Sequence, residues 1–149
     1  MRVLVDTNIL LRLSQSNDPH QPLALESIRR LAAGGHTLCI GSQTVAEFLA
    51  VATRSVADRG LGMTQALADA ELGKLTDAIE VLFDSALVLS ELRRLVVTYS
   101  VTGKSVHDAK LVATMNANGV KHILTFNQRD FARFPEISAI DPAAGAVVT

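Results

Sequence analysis

Tryptophan is absent from this chain of 149 residues, tyrosine occurs once, at Tyr99, and aromatic residues make up only 4%. Platforms that stack single-stranded bases need aromatic rings, so the composition argues against one here. A single cysteine, Cys39, excludes an internal disulfide and a thiolate-rich zinc site. The formal net charge is −1, without the basic excess of a dedicated electrostatic binder of nucleic acid. Hydrophobic residues reach 48% and the mean hydropathy is +0.27. Yet no stretch attains the roughly 18 uncharged apolar residues of a membrane helix. Asp6, Asn8 and Arg12 break the first apolar run, and no small-residue cleavage site of a secretory signal follows. The chain reads as cytosolic, with no membrane partner.

What is present is a succession of short apolar runs between helical patterns. Val3–Val5, Thr37–Gly41, Ile79–Phe83, Lys121–Phe126 and Ile137–Ile140 read as strands. Helices are expected from Asn8, from Pro22 to Gly34, from Ser42 or Thr44 to about Thr53, and from Thr64 with an interruption at Gly73. Two more are expected over Leu87–Val97 and Ser105–Asn118, and a helical turn around Arg129–Phe134. Fully apolar strands alternating with helices predict a parallel sheet covered on both faces. No linker, repeat or low-complexity tract divides residues 1–149, so one α/β domain is expected, a three-layer sandwich around a central parallel sheet of about five strands.

Into the apolar opening MRVLVDTNILLRL the sequence sets Asp6, Thr7 and Asn8. Burying an unpartnered carboxylate costs several kcal/mol, roughly, on any scale, so Asp6 needs a reason. It stands at the carboxyl end of the first strand, where a parallel sheet binds its ligands. Glu47, early in the helix after the second strand, and Asn127, directly after HILTF, are brought to the same edge by topology. Asp108, in the first turn of its helix, arrives there if that helix points the same way. Carboxylates gathered without a cation repel one another. All-oxygen donors with no histidine or cysteine in register favour a hard divalent ion, Mg²⁺ or Mn²⁺, that keeps several waters. Such a site suits hydrolysis of a phosphodiester by water.

Each acid also has a plain structural explanation. Asp6 is a good cap for the helix after it, and Thr44 with Glu47 and Ser105 with Asp108 have capping-box spacing. Singly, each acid reads as a cap. Together on one predicted edge, they favour the metal.

VDTNIL at the first strand, AEF around Glu47, the helix opening SVHDAKLVATM, and LTFNQRDF after a late strand together resemble the PIN domain. More narrowly, the chain is similar to VapC toxins, the ribonuclease halves of bacterial toxin–antitoxin pairs. The resemblance runs from Val3 to about Pro142. It implies a Mg²⁺- or Mn²⁺-dependent endoribonuclease acting on RNA of the tRNA or rRNA class, a homodimer, and a cognate antitoxin protein laid across the site. By position, Asp6, Glu47 and Asp108 match the family's metal-binding acids, and Thr7 and Asn8 the neighbours that shape the first loop. Where the family often carries a fourth acid, this chain has Asn127, with Asp130 three residues on. Asn127 is carried as a catalytic candidate, and either it or Asp130 as a fourth metal ligand or positioner of water. Asn brings a carbonyl oxygen but no charge. Thr7, Lys104 and Arg129 are candidate substrate contacts.

Other signals carry less. TGKS at 102–105 ends like a P-loop, but Thr98 stands where the earlier glycine belongs, so Ser105 reads as a helix cap. His20, His36 and His122 read as surface or loop residues, His107 as an exposed first-turn residue, and Cys39 as core. Phe126, Phe131 and Phe134 read as packing. Arg54, Arg59, Arg93, Arg94, Lys110, Arg129 and Arg133 could line an RNA path, though most read as solvated charges. The segment Leu61–Leu82 serves core packing or a partner surface equally well. Two rival functions are a non-catalytic PIN-like module that binds RNA or protein, and phosphoryl transfer at an aspartate. The second lacks the acidic pair and late-strand lysine it needs.

Overall fold

A computed structural model describes residues 1–144, so the last five residues of the single-domain reading lie outside the described residues. Five parallel strands form the sheet: β1 (Arg2–Val5), β2 (Thr37–Gly41), β3 (Glu80–Leu82), β4 (His122–Leu124) and β5 (Ser138–Ile140). Their spatial order is β3-β2-β1-β4-β5. The chain steps outward from β1 to β3, then returns to the other side of β1 for β4. The order therefore reverses between β1 and β4, where Val3 pairs with His122 and Val5 with Leu124. Crevices for ligands open at such a reversal, beyond the carboxyl ends of the strands.

Helices cover both faces. α1 (Thr7–Leu13), α2 (Gln21–Ala33), α3 (Ser42–Thr53) and α4 (Gln65–Ala78) bury one face with Val3, Val5, Ile40 and Leu124. α5 (Ala86–Thr98) and α6 (Ser105–Ala117) close the other over Leu4, Cys39 and Ile123. The four-residue α7 (Gln128–Phe131) follows β4 and seats Phe131 on that second core. Alternate residues of β1 face opposite cores, which is why its run is apolar throughout. The three-layer α/β architecture and the parallel five-strand sheet agree with the sequence reading.

Three local expectations give way. Gly73 does not interrupt α4, which runs unbroken from Gln65 to Ala78. A helical glycine costs only about 1 kcal/mol, and Ala68, Leu72 and Leu75 pack this helix onto the core. Ser105 does not cap α6: the cap position is Lys104, with no side-chain hydrogen bond. His122 is no surface residue. It lies half-buried in β4 with Nδ1 buried and unpartnered, and burial holds its imidazole below the ordinary value. Among the described residues no helix is long and apolar enough to cross a membrane.

Candidate active site

Asp6 leaves β1 as the N-cap of α1, in extended backbone geometry, and Oδ1 accepts the Thr7 N–H at 2.7 Å. Oδ2 accepts from Asn8 Nδ2 at 2.8 Å and from Thr125 Oγ1 at 2.6 Å. A carboxylate offers about four lone-pair positions. Three are taken, leaving Asp6 one, on Oδ1. Burial nevertheless dominates and raises the Asp6 carboxyl above its ordinary value, with Glu47 and Asp130 pushing the same way.

Thr125 is fully buried and fully bonded. While donating to Asp6 it accepts from Asn8 Nδ2 at 3.1 Å and from the Asn127 N–H at 3.0 Å. Asn8 Oδ1 in turn accepts the Phe126 N–H at 3.3 Å. The ends of β1 and β4 are thus tied together through the side chains around Asp6. The sequence reading passed over Thr125, whose signal was a polar residue at the end of an apolar strand, as at Asp6.

Glu47 sits half-buried in the second turn of α3. Its Oε2 accepts from Thr7 Oγ1 at 2.8 Å and its Oε1 from Gln43 Nε2 at 2.7 Å. The same Gln43 nitrogen reaches the His107 carbonyl at 3.0 Å, which links α3 to the turn that holds Asp108. Thr7 joins Asp6 to Glu47, with N–H and hydroxyl both spent on carboxylates. Buried as it is, it acts as a strut between the acids and not as the open substrate contact that the sequence suggested.

The capping boxes do not form. α3 begins at Ser42 behind Gly41, with no side-chain cap, and the Thr44 hydroxyl is buried without a partner. Glu47 and Asp108 are therefore not explained as caps, whereas Asp6 is one. Asp108 lies in the first turn of α6 and accepts no hydrogen bond from a described side chain. Its carboxyl is pushed up to about 6, by burial first and then by Asp130, Asp6 and Glu47, against the pull of Arg133.

Four carboxylates thus act on one another at the β1/β4 reversal. Asp130 contributes by charge from α7, exposed beside Arg129 and Asn127 in a pocket of about 320 Å³. Asn127 is exposed too, tied down by its backbone and making no side-chain cap. Lys104 is exposed at the cap of α6. Lys110 turns away to Asp84 at 2.8 Å, and Arg94 to Glu91 and Glu136, each at 2.8 Å.

Among the described residues no three Asp, Glu, His or Cys side chains close into a ready-made cage. The donor set still fits a hard divalent ion. It is all oxygen, it repels itself, and it keeps an open position on Asp6 and an unbonded carboxylate on Asp108. Mg²⁺ is commonly held by one or two carboxylates with waters completing its shell, so separated acids suit it.

An α/β domain with an acidic mouth at the reversal of its parallel sheet is the class these observations define. The PIN domain model matches residues 3–137, and the chain belongs to that family. No curated protein sequence matches it significantly. Among solved structures it is similar to VapBC2 from Rickettsia felis bound to a DNA fragment from its promoter, with TM-score 0.72 and 19% identity over 95% of this chain and 98% of that one. VapBC-1 from nontypeable Haemophilus influenzae gives TM-score 0.72 and 17% identity, with the same coverage of 95% and 98%. Mycobacterium tuberculosis VapC20, described as a Sarcin-Ricin loop cleaving toxin, gives TM-score 0.59 and 18% identity over 81% of this chain and 86% of that one. At such identities the likeness is one of fold.

Proposed function

We propose that this PIN domain is a metal-dependent endoribonuclease and the toxin of a toxin–antitoxin pair. The observation that carries the reading is the gathering of Asp6, Glu47, Asp108 and Asp130 at one mouth, where the other three acids and burial raise the Asp108 carboxyl. Acids perturbed in this way cluster at functional sites. Asp6, Glu47 and Asp108 would hold Mg²⁺ or Mn²⁺, with Asp130 or Asn127 beside them. The ion would supply positive charge against the scissile phosphate and lower the pKa of water next to it. The protein's own part is positional. Thr7, Asn8 and Thr125 fix both oxygens of Asp6, while Thr7 and Gln43 fix those of Glu47. Little reorganisation is then left to the moment of reaction.

The VapBC neighbours support a cognate antitoxin as partner, and the Sarcin-Ricin loop neighbour supports structured RNA of the rRNA class, beside tRNA, as substrate. A homodimer would cover exposed apolar side chains such as Phe83, Leu87 and Val97. The site of action is the cytoplasm, where such RNA is found. The second reading, a non-catalytic PIN-like module binding RNA or protein, is favoured by Asn127, which brings no charge where the family often carries an acid.

The test is to incubate antitoxin-free protein with a labelled pool of structured RNA, with Mn²⁺ or with EDTA, alongside Asp6→Asn. Cuts that need Mn²⁺ and are lost in a folded Asp6→Asn protein support the nuclease. Equal background in both proteins, on RNA that a control enzyme cuts, favours the binding module.

A further inference from the structure

Beside the acidic mouth lies a second groove of about 340 Å³, and Asn8, which holds Asp6, forms part of its wall. Arg12 and Arg59 line it. Arg12 is anchored from below: Nη1 donates to Asp18 Oδ1 at 3.2 Å and Oδ2 at 3.1 Å, and the guanidinium lies 4.8 Å over the Phe126 ring. Its Nε is buried without a partner, and no described residue accepts from its Nη2. Nη2 is therefore the nitrogen left to meet a phosphate, in a charge-assisted hydrogen bond. Phe126 also walls the pocket of Asn127 and Asp130, so one ring lies between that pocket and Arg12; Asp18 lines the groove too, which leaves Arg59 as its uncompensated cation.

Arg59 stands on a turn that holds it in an unfavourable backbone state. Its φ is 64°, in the left-handed region where a side chain is disfavoured. The turn cannot relax. Gly60 donates to the Ser55 carbonyl at 2.8 Å, and a Cβ on Gly60 would lie 2.1 Å from the Arg54 carbonyl oxygen. Glycine or asparagine would suit position 59 better, yet a long cation stands there, exposed over the groove and in no ion pair with a described residue. Arg59 is the left-handed C-cap of the turn Val56–Asp58, which sets its side chain on the groove wall.

We propose that Arg12 and Arg59 form a backbone-phosphate subsite that holds the RNA strand beside the acidic mouth. The proposal rests on the ribonuclease reading for its substrate. It also supplies what the net charge of −1 withholds, local positive potential for a polyanion. The acids then act on a phosphodiester further along the same strand.

Binding is read without cutting, by fluorescence anisotropy of a labelled oligouridylate of about ten nucleotides in EDTA, across a salt series. Arg59→Gly removes the cation and relieves the backbone. Its Tm should hold or rise, while affinity falls roughly tenfold and the slope of log affinity against log salt loses about 0.7. Arg12→Lys keeps the charge toward Asp18 and Phe126 but loses the Nη2 donor, and should weaken binding several-fold with little change in Tm. Arg93→Gln, an exposed arginine on α5, makes the same charge change far from the groove and should leave the slope as in wild type. Wild-type protein that fails to bind, unchanged affinity in Arg59→Gly, or equal losses in Arg59→Gly and Arg93→Gln would each overturn the subsite. Cutting by the same wild-type preparation in Mn²⁺ is scored separately. RNA held through Arg59 but never cut retains the subsite and removes the nuclease.

Discussion

Thr125 Oγ1 lies 2.6 Å from Asp6 Oδ2, across two neighbouring strand ends that are 119 residues apart in the chain. That hydroxyl lowers the proton affinity of Asp6 while burial raises it. Thr125→Val keeps the shape and removes the donor, leaving the Asn127 N–H without its acceptor and Asn8 Nδ2 with Asp6 alone. Stability should fall by about 1–3 kcal/mol, as expected for buried polar groups left unpaired. The Asp6 carboxyl should rise further, moving the acid limb of RNA cutting to higher pH. A urea midpoint and a pH–rate profile check the two effects.

Asp108 gives a prediction with a defined pH window. Its folded-state carboxyl, at about 6, lies above the ordinary 3.8, so the folded protein holds this proton more tightly than the unfolded chain does. Stability from this group is therefore present at low pH and lost as pH rises from about 4 to about 6. Asp108→Asn, free of that charge, should be more stable than metal-free wild type at pH 7.5 by about 1 kcal/mol after allowance for solvent screening. The difference should vanish near pH 4. Mg²⁺ should raise the Tm of wild type at pH 7.5 and do so much less for Asp108→Asn, because an ion that binds only the folded state stabilises it.

Asp130 and Asn127, the two candidates for the fourth position, differ in charge. Asp130 raises the carboxyls of both Asp6 and Asp108, whereas Asn127 is exposed and bonded only through its backbone. Asp130→Asn should lower Mn²⁺ affinity and cutting by roughly tenfold, in line with loss of a partner at a metal site. Asn127→Ala should cost less. Calorimetric titration with Mn²⁺ compares the two, and equal losses would return Asn127 to the site.

Much of this was legible in the chain. Unbroken apolar strands between amphipathic helices specified the parallel sheet, and the parallel sheet placed Asp6 and the residues after β4 on one edge. Two helix openings were not legible, those of α3 and α6, because spacing alone cannot tell a cap from a ligand. Glu47 has capping-box spacing to Thr44, but α3 starts at Ser42, so Glu47 falls in the second turn and turns to Thr7 and Gln43. Thr125 was hidden for another reason: its partner Asp6 lies in a distant part of the chain. The strain at Arg59 is a backbone property that no residue pattern displays.

Away from the site, Glu136 offers a test of the fold with the opposite sign. Arg94 holds its carboxyl down to about 2, with help from Asn116 and Tyr99. Such a group stabilises the fold above the ordinary 4.5 and loses that contribution as pH falls toward about 2. Glu136→Gln should cost about 1 kcal/mol at pH 7, allowing for the partial exposure of Arg94. The cost should shrink steadily in denaturation curves taken toward pH 2.

The most direct measurement is of the ends of the RNA fragments that wild-type protein makes in Mn²⁺. Attack by water, with the acids holding the ion, leaves every 2′-hydroxyl free and ends each cut in a linear monophosphate. Linear ends that appear only with Mn²⁺ and are lost in Asp6→Asn are the predicted result. Fragments ending in 2′,3′-cyclic phosphate, formed by the RNA's own 2′-hydroxyl with or without the metal, would contradict the account.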